Sequence, residues 1–259
     1  MVRMDDVGAA SKRHEVYGRT RLAVGPLRIP FPGNLLWLKY LPPIKRWGPY
    51  RELSASEWYL ILEALAAARA RMTVGVTAAW VEDDGRLTPF PEKFPEAARA
   101  IREGVAAGLL EVANHGLTHC LLDGGAFRPR FFSGNRQYHR EFYDFIPPES
   151  QDAHIRQAQA ILADAFATDI VTLVPPGNLL QPVTAEIARR YGVRFLSYHA
   201  LTSRDGILPV VGDECGVTFH DRDVVLGGVA WLRTRLAEVR DREVLLVREL
   251  GERLVRGAA

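Results

Sequence analysis

The sequence is poor in cysteine and has no long uninterrupted apolar stretch. Its 259 residues include two cysteines, Cys120 and Cys215, so a disulfide framework is excluded and a reducing compartment is expected. Its apolar runs fall short of the roughly 20 residues of a membrane-spanning helix. The first residues, MVRMDDVG, contain two acids, which the apolar core of a signal peptide does not tolerate. These absences predict a cytoplasmic protein without a membrane span.

A strong excess of one charge is also lacking. Thirty-three Lys and Arg against 31 Asp and Glu give a formal net charge of +2, which argues against a nucleic-acid binder driven by bulk charge. The 47% hydrophobic content is enough for a large core. We found no internal repeat and no convincing linker, so residues 1–259 are expected to form one domain.

Short apolar runs alternate with helical patterns along the chain. The predicted buried strands cover residues 72–80, 109–116, 169–177, 193–199 and 216–221. The predicted helices cover residues 55–71, 92–108, 150–166 and 182–192. The first helix follows Ser54, with Glu57 at capping-box spacing, and the last has Pro182 near its start and Gly192 at its end. This alternation predicts a parallel sheet, and at this length an α/β barrel.

Two long segments interrupt the alternation and are predicted as loops. Residues 11–52 hold nine Lys and Arg against Glu15 and Glu52, with six prolines and six aromatic residues. Residues 121–150 hold seven aromatic residues, among them Tyr138. Such long loops in a compact domain are usually functional or disordered, and the aromatic content argues against disorder. Packing as a lid or an interface and binding a ligand are equally good interpretations.

The stretch ANHGLTHC places His115 and His119 four positions apart after a predicted strand. Two imidazoles at this spacing share one face of a beginning helix and can bind one metal ion. Strand ends are also where sites cluster in parallel α/β folds. The pair alone is equally compatible with an ordinary loop and helix start.

Two pairs of acids are candidates for the carboxylate ligand that a catalytic metal usually needs. Asp83 and Asp84 precede Gly85, which is typical of a turn. Asp5 and Asp6 end a predicted short strand, where their mutual repulsion is tolerated if a cation lies between them. One carboxylate would then bind the metal, and the other would accept a proton from water.

His220 is the third feature of interest, because it lies where the strand GVTFHD ends. In a barrel it would face the same rim as Asp6 and His115, and an imidazole there can pass a proton to a leaving group. A single histidine at a strand end is more often structural. Its combination with the acid pair and the histidine pair favours an active site.

The order of these motifs resembles the polysaccharide deacetylases, also described as the NodB-homology or carbohydrate esterase family 4 hydrolases. Asp5–Asp6, HGLTH, VPPGN and TFHD follow one another as the motifs of that family do, over nearly the whole chain. The resemblance implies a distorted (β/α) barrel with seven strands. It also implies that Asp6, His115 and His119 hold a divalent metal, that Asp5 is the general base and that His220 is the general acid.

Two departures from the family pattern indicate a divergent branch. Val174 stands where the third motif normally carries an arginine that orients the base, and Val7 stands where a glycine usually follows the acids. In VPPGN, Pro176, Gly177 and Asn178 are expected to contact substrate. A rigid strand-to-helix turn is an equally good interpretation.

The resemblance implies metal-dependent hydrolysis of a carbon–nitrogen bond, with zinc as the leading metal and cobalt, nickel, manganese or iron as alternatives. The expected substrate is an N-acetylated sugar or glycan intermediate. Aromatic residues such as Tyr138 would stack on sugar rings, and the basic segment 11–52 would favour an anionic partner or a second copy of the chain. A glycan-binding module without turnover and a hydrolase of a non-sugar amide are the two alternatives.

Overall fold

Seven parallel strands and the helices between them place the carboxyl ends of the strands on one rim. The structure, a computed structural model, describes residues 1–14, 16–33, 35, 38–41, 44–47, 51–120, 141–199 and 207–257. In chain order the strands of this part are β1 (Val2–Val7), β2 (Val16–Gly18), β3 (Arg21–Val24), β4 (Leu27–Pro30), β5 (Lys45–Trp47), β6 (Met72–Val76), β7 (Ala79–Val81), β8 (Leu87–Pro89), β9 (Leu110–Asn114), β10 (Thr172–Leu173), β11 (Phe195–Ser197), β12 (Val210–Val211) and β13 (Val217–His220).

The main sheet has the strand order β12-β11-β10-β9-β6-β1-β13, and all its pairs are parallel. Within the described residues its edge strands β12 and β13 do not pair, so the barrel is open between them. This confirms the predicted distorted (β/α)7 architecture of the NodB type. Three two-stranded antiparallel ribbons accompany the sheet, namely β2 with β5, β3 with β4 and β7 with β8.

The helices of the described residues are α1 (Ala55–Ala67), α2 (Phe90–Lys93), α3 (Pro95–Ala106), α4 (Pro148–Phe166), α5 (Pro182–Arg190), α6 (Asp221–Ala237) and α7 (Val247–Gly257). The predicted capping box of α1 is present, because the Glu57 backbone N–H donates to the Ser54 hydroxyl and the Glu57 carboxylate accepts from the Ser54 N–H. Helix α5 begins at Pro182 as predicted. None of these helices combines the length and apolar character needed to cross a lipid bilayer.

Three sequence expectations need correction. The helix predicted over residues 92–108 is two helices that meet at Phe94, whose extended φ of −130° follows from the steric demand of Pro95. The segment 11–52, predicted as a loop, contains four short strands, β2 to β5. Of the predicted loop 121–150, residues 121–140 lie outside the described part, and α4 already begins at Pro148.

The two faces of the sheet have different chemistry. Val2 and Met4 on β1 point outwards into the main core with Trp58, Ile61 and Leu65 of α1. This face is apolar because the helices cover it, and strand residues alternate between faces with a period of two.

The inner face carries a buried polar layer near the amino ends of the strands. Glu111 of β9 accepts hydrogen bonds from the hydroxyls of Thr73 and Thr172, at 2.8 and 2.6 Å. The N–H groups of Val247 and Arg248 at the start of α7 bind Thr73 and Glu111. Helix α7 thereby closes this end of the barrel, and the opposite rim holds the candidate site.

Candidate metal centre and active site

The ends of four strands of the parallel sheet, β10, β9, β1 and β13, deliver the candidate residues to one rim. Asp5 and Asp6 lie near the end of β1, and His220 is the last residue of β13, which pairs with β1. His115 follows β9 directly, and Pro175 follows β10. The carboxyl ends of parallel strands therefore bring together residues that are up to 215 positions apart in the sequence.

Asp6, His115 and His119 converge on one point. The Nε2 atoms of His115 and His119 lie 3.2 and 3.1 Å from the Oδ1 atom of Asp6. Three potential ligand atoms of these residues lie within 4.8 Å of one another, and all three side chains are buried. Two imidazole nitrogens and one carboxylate oxygen form a donor set that suits zinc and other first-row divalent metals.

Outer contacts fix the orientation of both imidazoles. The Nδ1 atom of His115 is 2.7 Å from the carbonyl oxygen of Val174, a contact that requires a proton on Nδ1. The Nε2 lone pair of a neutral His115 therefore faces Asp6. The Nδ1 atom of His119 is 3.0 Å from the Ser11 hydroxyl. Such outer hydrogen bonds are typical of histidines that bind metals, and the residues present fit a divalent metal.

The pKa values of Asp6 and His115 are both shifted by their neighbours in this cluster. Burial alone would raise the pKa of Asp6, but the charge of His119 and hydrogen bonds from His115 and His119 hold it well below its usual value. Burial would lower the pKa of His115, yet the hydrogen bond that its ring donates to Asp6 and the charges of Asp5 and Asp6 raise it. The point between the two rings therefore favours positive charge.

The HGLTH segment is a bent loop, which corrects the expectation of a beginning helix. Residues 115–120 are not helical, and His119 has a positive φ of 59°. The two histidines meet because the loop folds back, with their ring centroids 4.7 Å apart. The spacing of four residues therefore brings the rings together by another route than the predicted helical turn.

The carboxylate of Glu141 binds the backbone of this loop. Its Oε1 atom accepts from the N–H of Leu117 at 2.9 Å, and its Oε2 atom accepts from the N–H of His119 at 2.9 Å. The intervening N–H of Thr118 lies within 3.4 Å of both oxygens, and the Nδ1 atom of His154 lies 2.6 Å from Oε1. Three successive N–H groups around one carboxylate form an anion-binding nest. The nest fixes the backbone that carries His119.

Gly116 is required for this arrangement. It has a φ of +82°, and a Cβ atom on it would lie 2.1 Å from the Oε2 atom of Glu141. Any larger residue would therefore strain the backbone and displace the carboxylate.

Asp5 lines the same cavity and is bound by Arg3 from the same strand. The Arg3 Nε atom donates to Asp5 Oδ1 at 3.0 Å, and Nη2 donates to Oδ2 at 2.9 Å. This fork-to-fork geometry is the strongest kind of arginine–carboxylate pair. Asp5 thus has a fixed orientation, while its remaining lone pairs face the cavity.

His220 occupies the more open side of the cavity. Its side chain is 43% exposed, and its Nε2 atom lies 4.0 Å from Asp6 Oδ2. Its Nδ1 atom is 3.9 Å from the carboxylate of Asp223, which accepts the backbone N–H of His220. Its neighbour Asp221 is fully buried, with Lys12 Nζ 2.5 Å from Oδ2. This ion pair anchors the turn that presents His220.

The VPPGN segment forms one wall. Gly177 and Asn178 line a cavity of about 180 Å³ together with the site residues described above. Pro176 is buried behind that wall and lies against Gly116. The Asn178 side chain accepts from the backbone N–H of His199 at 3.2 Å, so it also braces the next loop. Tyr138, expected to contact substrate, lies outside the described residues.

The other acid pair lies in a turn, as one sequence interpretation held. Asp83 and Asp84 are exposed, and the Asp84 side chain accepts the backbone N–H of Arg86 at 3.0 Å. Asp83 pairs with Arg13 at 2.6 Å. Neither residue lines the cavity that contains the two histidines.

Sequence reasoning did not find Arg3, Ser11 or Glu141. A signal existed for Arg3, because residues two apart on a strand share a face, and Arg3 precedes Asp5 by two. For Ser11 and Glu141 no local pattern points to the HGLTH loop, since their contacts with it span 108 and 22 to 24 residues.

The sequence matches the family model described as polysaccharide deacetylase over residues 52–196, which is more than half of the chain. Among solved structures, a protein from Mycobacterium smegmatis solved as a candidate polysaccharide deacetylase is 13% identical, with a TM-score of 0.50 and 78% of each chain covered. A CE4-family pseudoenzyme from Bacillus anthracis is 15% identical, with a TM-score of 0.48, 77% of this chain and 62% of that chain covered.

A family 4 acetyl xylan esterase from Clostridium thermocellum, solved with a cobalt ion, is 14% identical, with a TM-score of 0.43, 77% of this chain and 86% of that chain covered. The comparison with curated proteins found no match. The likeness to the Mycobacterium smegmatis structure, at 13% identity, shows the fold alone, and the family model shows the family. The chain belongs to the polysaccharide deacetylase family.

Proposed function

We propose that the chain is a divalent-metal-dependent hydrolase that removes the acetyl group from an N-acetylated sugar or glycan intermediate. The observation that carries this proposal is the convergence of Asp6, His115 and His119 on one point. Asp5 and His220 line the same cavity, so a base and an acid are both within reach of that point. Family membership supports the reaction class, an amide hydrolysis.

Asp6, His115 and His119 would hold the metal, and zinc is the leading candidate for this donor set. Bound there, a divalent cation lowers the pKa of a coordinated water and polarises a carbonyl oxygen. The protein contributes the orientation of the ligands, which Val174 and Ser11 provide through the Nδ1 atoms of the two histidines. Cobalt, nickel, manganese and iron remain alternatives because the same ligands accept them.

Asp5 is proposed as the general base. It is one residue from Asp6 on the same strand and only 8% exposed, so little bulk water competes for its carboxylate. It would take the proton of a water molecule that attacks the acetyl carbonyl carbon. A positioned base of this kind typically contributes a factor of about 100 to 10,000 to the rate.

His220 is proposed as the general acid. It stands at the open side of the cavity, where the departing amine of a large substrate would extend towards solvent. Its imidazole would protonate that nitrogen as the carbon–nitrogen bond breaks. The Asp223 carboxylate lies 3.9 Å from the Nδ1 atom of His220, on the side of the ring away from Asp6 Oδ2, which Nε2 faces.

The size of the cavity limits what the site encloses. About 180 Å³ is below the range of about 300 to 1,000 Å³ that encloses a drug-sized ligand. The acetamido group and the nearest ring atoms would therefore enter, and the rest of the glycan would lie across the rim. We propose a biosynthetic intermediate in the cytoplasm, in keeping with two free cysteines, Cys120 and Cys215.

The alternative function is a glycan-binding module that keeps the metal pocket without turnover. Val174 favours it, because the family arginine expected at that position is absent. Asp5 and His220 oppose it, because binding alone needs neither a base nor an acid. Hydrolysis of a non-sugar amide is a further outcome that the same experiment distinguishes.

The test measures metal content and acetate release together. Purified protein with one equivalent of zinc or cobalt is incubated with N-acetylglucosamine oligomers, an N-acetylated nucleotide sugar, a simple acetanilide and 4-nitrophenyl acetate. Acetate from the sugars is the expected result. Release from the acetanilide and the ester alone would indicate a non-sugar hydrolase. Tight glycan binding with no release from any compound would support the binding module.

Variants of the base and the acid separate their roles. Asp5→Ala should lower turnover about 100-fold or more on both the amide and the activated ester, because water must be deprotonated in either case. His220→Ala should show this loss on the amide and be largely spared on the ester, whose leaving group needs no proton. Both variants should keep the metal. Equal losses for His220→Ala on the two substrates would exclude it as the proton donor.

A further inference from the structure

Arg3 is a buried arginine near the start of the barrel's first strand. It is 1% exposed, and it shares the inner face of β1 with Asp5, two positions later. An arginine is almost never fully buried unless its charge is paired. The groups that pair with Arg3 therefore indicate its role.

Each of the three nitrogen atoms of the Arg3 guanidinium contacts a polar side chain. Nε and Nη2 bind the two oxygens of Asp5. On the far side, Nη1 lies 2.7 Å from the Ser197 hydroxyl and 2.9 Å from Asp213 Oδ1. Ser197 in turn donates to the carbonyl of Val211. The guanidinium is thus fixed by β11, by β12 and by the segment that follows it.

The surroundings of Asp5 fit this one orientation. A Cβ atom on Gly75 of the neighbouring strand β6 would lie 3.2 Å from Asp5 Oδ1. The carboxylate therefore fills the space that a side chain at position 75 would need. Arg3 occupies one edge of the carboxylate and leaves other lone pairs for a proton from the cavity.

We propose that Arg3 is the positioning residue of the Asp5 base and supplies, from the same strand, the guanidinium that Val174 cannot supply. This inference rests on the proposed function of Asp5. Arg3 does not touch the cavity itself, because the lining residues include Asp5 and not Arg3. It acts by presenting the carboxylate in one orientation, and misplacing a reacting group by about 1 Å can cost about 100-fold in rate.

The variants separate orientation from charge. Arg3→Lys keeps the positive charge and loses the planar fork, whereas Arg3→Met keeps the approximate length and loses both. The matched control is Arg71→Met. Arg71 forms a similar two-pronged pair with Glu249, at 2.8 and 2.6 Å, but it lies before β6 at the other end of the barrel.

Turnover is measured on the amide and on the activated ester, with metal content determined for each variant. Arg3→Met should retain one metal and lose about 100-fold in kcat on both substrates with little change in KM, as we also expect for Asp5→Ala. Arg3→Lys should fall between this variant and the wild type. Arg71→Met should keep the wild-type kcat. In the Asp5→Ala background, Arg3→Met should lower kcat no further, because Arg3 acts only through Asp5.

A crystal structure of each variant gives a readout that does not depend on activity. The Asp5 carboxylate should be rotated or split between orientations in Arg3→Met and Arg3→Lys. The proposal would be overturned if the Asp5 carboxylate kept its orientation and turnover stayed at the wild-type level. It would also be overturned if Arg3→Met lowered kcat in the Asp5→Ala background as much as it does in the wild-type background. If Arg3→Met does not fold, Arg3→Lys and Ser197→Ala supply the same comparison. A wild-type protein that binds metal and hydrolyses nothing would refute the proposed function, and the orientation of Asp5 would still decide the role of Arg3.

Discussion

Replacing Glu141 should weaken metal binding although Glu141 is not a ligand. Its carboxylate accepts from the N–H groups of Leu117, Thr118 and His119, and it is paired with His154. In Glu141→Gln the side chain keeps its shape, but one acceptor oxygen becomes an NH2 group that faces donors. At least one buried N–H then loses its partner, at a cost of about 1 to 3 kcal/mol.

The lost hydrogen bond destabilises the conformation of the HGLTH loop in which the two histidines meet. The nest fixes the positive φ of His119, so a loop without it gains other conformations in which the two imidazoles no longer converge. Changes to groups that support a ligand typically weaken metal affinity 10- to 100-fold. We therefore expect Kd for zinc or cobalt to rise by that factor, which corresponds to about 1.4 to 2.8 kcal/mol.

The assay is calorimetric titration of metal into the metal-free protein, with cobalt absorption as a second readout. Glu111→Gln is the matched control, because Glu111 is an equally buried carboxylate with hydrogen-bonded neighbours at the other end of the barrel. This control should lose stability to denaturant and keep the wild-type Kd. A folded Glu141→Gln protein with wild-type Kd would refute the reasoning, and so would an equal rise in Kd for Glu111→Gln.

Two further predictions concern the metal and pH. Asp6→Ala and His119→Ala should each abolish tight binding of about one metal per chain, because two protein ligands hold such a metal poorly. Asp84→Ala, in the exposed turn, should leave the metal content unchanged. Full metal occupancy in His119→Ala would contradict the ligand assignment. Burial would lower the pKa of His154, but the hydrogen bond and charge of Glu141 raise it. The stabilisation from His154 should therefore be complete below its unfolded pKa of about 6.5 and disappear as the pH rises through the higher folded value. Urea unfolding of the metal-free His154→Gln variant should show a larger deficit in the free energy of unfolding at pH 5.5 than at pH 9, and equal deficits would contradict this.

The sequence predicted those parts of the fold that depend on local periodicity. Five of the strands in the parallel sheet lie within the predicted buried runs, and the capping box at Ser54 marks the start of α1. Helices α6 and α7 were not predicted. Helix α6 follows the strand of His220 immediately, without a separating turn signal. The break at Pro95 was readable, because a proline disfavours helical backbone in the residue before it.

The residues of the candidate site were predictable where each lies at a strand end, as Asp5, Asp6, His115 and His220 do. Their assigned roles remain predictions. The path of the loop to His119 was not predictable, because a carboxylate 22 residues further along the chain determines it. Long-range contacts of single polar side chains leave no periodic trace in a sequence.

The contacts of Arg3 change what the absence of an arginine at position 174 implies. Read from the sequence, a valine at that position suggests that the base lacks the group that orients it. If Asp5 is the base, as proposed, a guanidinium plane beside its carboxylate can orient it from any strand that brings the plane there. An arginine two residues before the base, on the same strand and face, satisfies this condition. The proposed base, metal ligand and positioning residue then all belong to β1, so the backbone of this single strand sets the spacing of Arg3, Asp5 and Asp6. Arg3 also contacts Ser197 of β11 and Asp213, which follows β12, so a shift of those elements would move the guanidinium and with it the Asp5 carboxylate.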